Sequence, residues 1–159
     1  MKRRKKKIME ELRSVPLFDW FKIIWEEGYY SPIKTKETMI ITNNRVNFIR
    51  TSINELNNDD PYSDINCKWS FKTNDVEFET ALNSVCLYFL NHMEPTMINR
   101  KTEYSNFTIE VKKYNEKKSI KKSFLGHLRD YEYETLLDLI EGFIPKHSLV
   151  PYFIEDYPG

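Results

Sequence analysis

Between residues 38 and 125 the apolar side chains recur at every second position in short runs, which ties this chain to an antiparallel sheet more firmly than any other feature. Residues 38–42 and 46–53 are two such runs, separated only by Asn43 and Asn44. So short a link joins two strands only as a hairpin, and Asn tolerates the positive φ that tight hairpin turns favour. Cys67, Trp69 and Phe71 alternate with Lys68, Ser70 and Lys72, giving a third strand with one buried face. Phe107, Ile109 and Val111 alternate with Thr108, Glu110 and Lys112 in a fourth, and a turn near Asn115 leads to a fifth over 119–125.

Elsewhere the spacing is helical. Residues 2–14 read as a charged helix with a narrow apolar strip of Ile8, Met9 and Leu12. Pro16 suits the first turn of a second helix over 17–27 that stops at Gly28. At 100° per residue, Trp20, Ile24, Leu17, Phe21, Trp25 and Phe18 fall within an arc of roughly 160°. Asn74 and Glu77 resemble a capping box for a core helix over 75–91, carried by Phe78, Ala81, Leu82, Val85 and Phe89. Tyr133, Leu136, Leu137 and Ile140 mark a last helix from about residue 130, stopped by Gly142 and Pro145, with an extended tail to 159. Residues 54–64 are polar and aperiodic, as in an exposed loop.

The expectation is therefore an α+β fold: an antiparallel sheet of about five strands, helices packed on one face, and a helical N-terminal segment. The chain reads as a single domain over 1–159, with 1–28 as a basic, helical N-terminal extension.

Charge is unevenly placed. The 159 residues carry 24 Lys and Arg against 24 Asp and Glu, and Lys2, Arg3, Arg4, Lys5, Lys6 and Lys7 hold six of the cations in one run. The rest of the chain thus has an excess of six negative charges. Such segregation does little for a core and favours binding, with an acidic body meeting something basic while the cationic arm meets phosphate. The run is followed by Ile8, Met9, Glu10, Glu11 and Leu12 where an export signal needs a continuous apolar stretch. No window is long and apolar enough to span a membrane. With Cys67 and Cys86 both in apolar patterns, a cytoplasmic, reducing location and a monomer are expected.

Chemistry-bearing patterns are sparse. His92, His127 and His147 have no ligand partner at metal spacing, and Gly28, Gly126, Gly142 and Gly159 stand too far apart for a phosphate loop, so neither metal nor cofactor is expected. Cys86 on an apolar helix face reads as inert. Glu110, Val111 and Lys112 form the carboxylate–apolar–lysine triplet of metal-dependent nucleases, with Asp75 or Asp64 as second carboxylate, although wet strand faces produce the same triplet without function. Aromatic residues make up 14% of the chain, and Tyr29, Tyr30, Tyr62, Tyr131, Tyr133, Tyr152 and Tyr157 flank charges in the way of interface anchors.

The segments FDWFKIIWEEGYY (18–30) and KWSFKTND (68–75), with the chain length, resemble the small type II-A anti-CRISPR proteins of staphylococcal mobile elements. The resemblance implies a non-enzymatic, cofactor-free inhibitor acting in the bacterial host cell. Its partner would be the RNA-guided DNA endonuclease of type II CRISPR systems. An imitation of PAM duplex needs denser negative charge than this chain has, so the expected route is to block docking of the HNH nuclease domain. Candidate partner contacts are Asn57, Asn58, Asp59, Asp60 and Tyr62 in the polar loop, then Tyr29, Tyr30, Tyr131 and Tyr133. The alternatives are a small nucleic-acid-binding regulator using residues 2–7 and, third, a metal-dependent nuclease.

Overall fold

A computed structural model describes residues 17–26, 35–52, 66–94, 106–125 and 131–155. The fold is α+β, with six strands and three helices among these residues: β1 (Phe18–Glu26), β2 (Thr35–Thr42), β3 (Arg45–Ser52), β4 (Cys67–Lys72), α1 (Val76–His92), β5 (Asn106–Lys113), β6 (Ile120–Leu125), α2 (Tyr131–Glu141) and α3 (Tyr152–Glu155). The strands form one antiparallel sheet in the order β4-β3-β2-β1-β5-β6. The expected helix over 2–14 and loop over 54–64 lie outside the described residues.

The largest departure from expectation is β1. Instead of a helix over 17–27, Phe18–Glu26 is a strand bonded to β2 on one side and β5 on the other. Phe21, Ile23 and Trp25 point into the core while Trp20, Lys22, Ile24 and Glu26 point away. A register shift between Phe18 and Trp20 breaks the alternation and brings Phe18 inward too. Apolar residues at both parities mimic a broad helical stripe, but two Ile, two Phe and two Trp in eight residues favour a pleated surface. The sheet thus has six strands rather than five, and this segment is its centre rather than an extension.

Inward positions of the other strands complete one core: Met39 and Ile41, Val46 and Phe48, Phe107, Ile109 and Val111, and Phe124. All helices lie on this face. Phe89 of α1 meets Phe21 and Phe124 edge-on at 6.4 Å, and Tyr133 of α2 stacks on Phe107 at 4.5 Å. The N-cap of α1 is Asp75, one residue later than expected, its carboxylate accepting the Glu77 N–H at 3.0 Å. At the other end Lys122 donates to the carbonyls of Met93 at 2.7 Å and Leu90 at 3.5 Å, placing a cation where the helix dipole is negative.

The β2–β3 hairpin turns at Asn43 and Asn44 as expected, but without positive φ; among the described residues only Asn115, at φ 61° in the β5–β6 turn, adopts it outside glycine. The tail is not simply extended, since α3 docks against the sheet. No helix of the described residues is long and apolar enough to cross a membrane.

Trp25 and Trp20 test this arrangement. On the strand they occupy opposite faces, whereas a helix would put both on its apolar stripe. Trp25→Ala is expected to lower unfolding free energy by about 3–5 kcal/mol and Trp20→Ala by well under half as much, measured by urea denaturation. Equal losses would contradict the strand.

Candidate functional site

One charged grouping lies within the core. On the inward face of β2 and β3, Glu37 and Arg50 are almost fully buried. Arg50 Nε donates to Glu37 Oε2 at 2.9 Å. The Tyr152 N–H donates to the same oxygen and the Phe153 N–H to Oε1, both at 2.9 Å. Arg50 also donates to the Val150 carbonyl at 3.2 Å, with its guanidinium 3.5 Å from the Tyr152 ring centroid. Burial pushes the Glu37 pKa above its ordinary value, and the Tyr152 and Phe153 N–H groups and Arg50 offset that only in part. Every strong partner here is internal to the fold, which makes this a structural latch for the C-terminal segment. Tyr152, an aromatic singled out in the sequence, serves as its lid.

The nuclease-like triplet falls on β5 with Glu110 and Lys112 outward, as alternation requires. Each is engaged locally: Glu110 accepts the Ser119 hydroxyl, and Lys112 pairs with Asp19. Asp75 is occupied as the α1 cap, and Asp64 lies outside the described residues. Among the described residues no three His, Cys, Asp or Glu side chains cluster as a metal site. Cys86 is fully buried, and burial drives its thiol pKa far above the ordinary value, which keeps it protonated.

The outward face of the sheet is different. The strand register sets Lys112, Trp20, Thr42, Arg45 and Lys72 across it in one row, and Lys121, Glu110, Lys22, Ile40, Asn47 and Ser70 in the next. A third row runs Ser123, Thr108, Ile24, Thr38, Ile49 and Lys68. Lys36, between Glu26 and Thr51, completes seven cations against Asp19, Glu26 and Glu110. Thr38, Ile40, Asn47, Ile49, Lys68 and Ser70 border a shallow depression of about 510 Å³. No described helix lies on this side.

The helical layer is its electrical opposite. Neither α1 nor α2 contains a Lys or Arg, while Glu77, Glu134, Asp138 and Glu141 are exposed along them. On α1 the exposed Glu77, Thr80, Ser84, Leu87 and Asn91 form one stripe, with Leu87 as its large apolar member.

Of the expected partner contacts, Tyr133 is instead core, only 2% exposed and stacked on Phe107. It follows the helical period of Leu136, Leu137 and Ile140, so its flanking acids misled. Tyr131 opens α2, while Tyr29, Tyr30, Asn57, Asn58, Asp59, Asp60 and Tyr62, and the basic run Lys2, Arg3, Arg4, Lys5, Lys6 and Lys7, lie outside the described residues. Sequence reasoning missed the outward cations of β1, β2 and β3; treating 18–26 as a strand would have put Lys22 on the same face of the sheet as Lys36, Arg45, Lys68 and Lys72. Comparisons with protein-family models, curated proteins and solved structures find no match to this chain.

For the latch, Glu37→Ala is expected to lower stability by about 3–5 kcal/mol, since it strands a buried guanidinium. Replacing the pair together, Glu37→Leu with Arg50→Met, should recover most of that loss. Urea unfolding of the single and double variants measures the difference; a double variant as weak as Glu37→Ala would contradict a purely structural pair.

Proposed function

We propose that this protein acts by stoichiometric binding, as an inhibitor of the RNA-guided DNA endonuclease of type II CRISPR systems. It would hold the effector protein so that the HNH nuclease domain cannot dock on the target strand. The reading begins from the sequence resemblance, and the observation that supports it in the structure is the one-sided charge of the helical layer. A surface with Glu77, Glu134, Asp138 and Glu141 exposed and no cation in either helix complements a basic, nucleic-acid-handling enzyme.

Exposed carboxylates of this kind accelerate encounter more than they hold a complex together, because each is solvated and screened. Retention needs buried anchors, and Leu87, 42% exposed in the middle of the α1 stripe, is the apolar group placed to supply one. The polar loop carrying Asp59, Asp60 and Tyr62 belongs to the same proposal as an additional contact.

Mixing the protein with the effector, with and without guide RNA and target DNA, tests this by co-elution and by DNA cleavage. A one-to-one complex that no longer cleaves is expected. Joint replacement Glu134→Lys, Asp138→Lys and Glu141→Lys should slow association about tenfold at low salt while leaving dissociation nearly unchanged, and Leu87→Ala should do the reverse. Absence of any complex at micromolar concentrations would remove the proposal.

A further inference from the structure

We propose that the outward face of the sheet is a binding surface for single-stranded nucleic acid. The inference does not rest on the effector reading, because it concerns the opposite face of the molecule and is tested without the effector.

The first ground is an excess of cations on this face: Lys22 and Lys121 flank Glu110 and Lys36 faces Glu26, but Arg45, Lys68 and Lys72 stand opposite no acid among the described residues. Only two ion pairs join described residues, Glu37 with Arg50 and Asp19 with Lys112. Lys22, Lys36, Arg45, Lys68, Lys72 and Lys121 therefore share the outward face without a salt-bridge partner among those residues. Arg45 and Lys72 stand directly opposite each other across β3 and β4. Like charges in that position weaken a sheet, and a local choice that opposes the fold is where function is to be sought. A polyanion laid across β1 to β4 turns the repulsion into attraction and releases its own counterions.

The second ground is what lies between the cations. Ile24, Ile40 and Ile49 are outward on β1, β2 and β3, Ile49 at 45% exposure, and Trp20 stands partly exposed beside Thr42. Around them Thr38, Asn47, Ser70 and Thr108 keep the surface low and supply hydrogen-bonding groups. A duplex presents phosphates and hides its base faces, so it would meet the cations and leave this apolar centre unused. An unstacked strand can place bases on Trp20 and on the isoleucines while its phosphates reach the lysines. The shallow depression of about 510 Å³ bordered by Ile40, Ile49 and Lys68 is of a size to receive a base. Five inter-strand steps of about 4.8 Å make the face roughly 24 Å wide, enough for a strand of several nucleotides.

The test uses the full chain and fluorescein-labelled 20-nucleotide oligo(dT) and oligo(U), with a duplex of equal length, in anisotropy titrations across a salt series. Single strands are expected to bind at least tenfold more tightly than the duplex. The joint variant Lys22→Gln, Lys68→Gln and Lys72→Gln should weaken binding tenfold or more, and reduce the log–log salt slope by about 2. Trp20→Ala should weaken it roughly tenfold. The independent pair Lys36→Gln and Lys121→Gln should act in the same direction, with circular dichroism confirming folded protein in each case. Neutralising Glu134, Asp138 and Glu141 as Gln should not weaken binding. A full-length variant with residues 2–7 all changed to Gln should keep the preference for single strands. The proposal is overturned if face variants bind as wild type does, if the variant at 2–7 alone abolishes binding, if duplex binds equally well, or if phosphatidylserine vesicles are bound in preference to the oligonucleotides.

Discussion

A carboxylate buried to 0% exposure, Glu37, is the constraint around which half of this structure is arranged. A six-stranded sheet is too wide for the two longer helices among the described residues: α1 and α2, at about 10 Å each, span roughly 20 Å, and their aromatic contacts fall on Phe21, Phe107 and Phe124 of β1, β5 and β6. The inward side of β3 and β4 must be covered by something else. The C-terminal segment does this, and it is held by polar groups. Glu37 accepts the first N–H groups of α3, Arg50 reaches the Val150 carbonyl, and Trp69 Nε1 donates to the Leu149 carbonyl at 3.1 Å. Burying an ion pair gains little by itself, because desolvation offsets most of the attraction. What it supplies here is a fixed position for a short segment whose own helix, four residues long, could not persist unaided.

The same comparison of residues explains what was legible beforehand. The β2–β3 and β5–β6 hairpins, β4, α1 and α2 follow from clean alternation or clean three-and-four spacing with turn or cap residues at their ends. β1 does not, because a central strand with a bulge carries apolar residues on both parities and imitates a helix. Glu37 and Arg50 were readable in part: Glu37 shares the parity of Met39 and Ile41, and Arg50 that of Val46 and Phe48, so inward charge was implied once those strands were set. Their partners, the N–H groups of Tyr152 and Phe153, come from 115 residues away in sequence, and no local pattern announces such a pairing. Lys68, Lys72 and Lys112 are visible in the sequence as wet-face lysines, whereas Lys22 falls in the segment that imitates a helix. Their assembly into one surface depends on β1 being the strand that joins the two halves of the sheet.

A net charge of zero conceals this arrangement. Among the described residues, the two cations on the inward face of the sheet are partnered, whereas most of those on its outward face have no salt-bridge partner. Inward, Arg50 is paired with Glu37 and Lys122 with two helix carbonyls; outward, six cations stand on strands whose own dipoles nearly cancel. The polarity of the molecule therefore comes from side chains rather than from the backbone. Beyond the sheet, α1 and α2 place the exposed Glu77, Glu134, Asp138 and Glu141 on the far side.

That origin separates stability from recognition. Exposed lysines and glutamates contribute little to folding, whereas the core that positions them relies on Phe21, Phe89, Phe107 and Phe124 and on the latch. Either charged face can change its partner by substitution without disturbing the core between them. Among the described residues, the acidic side of the helices and the cationic face of the sheet lie on opposite sides of the core, so a substitution on one leaves the other in place.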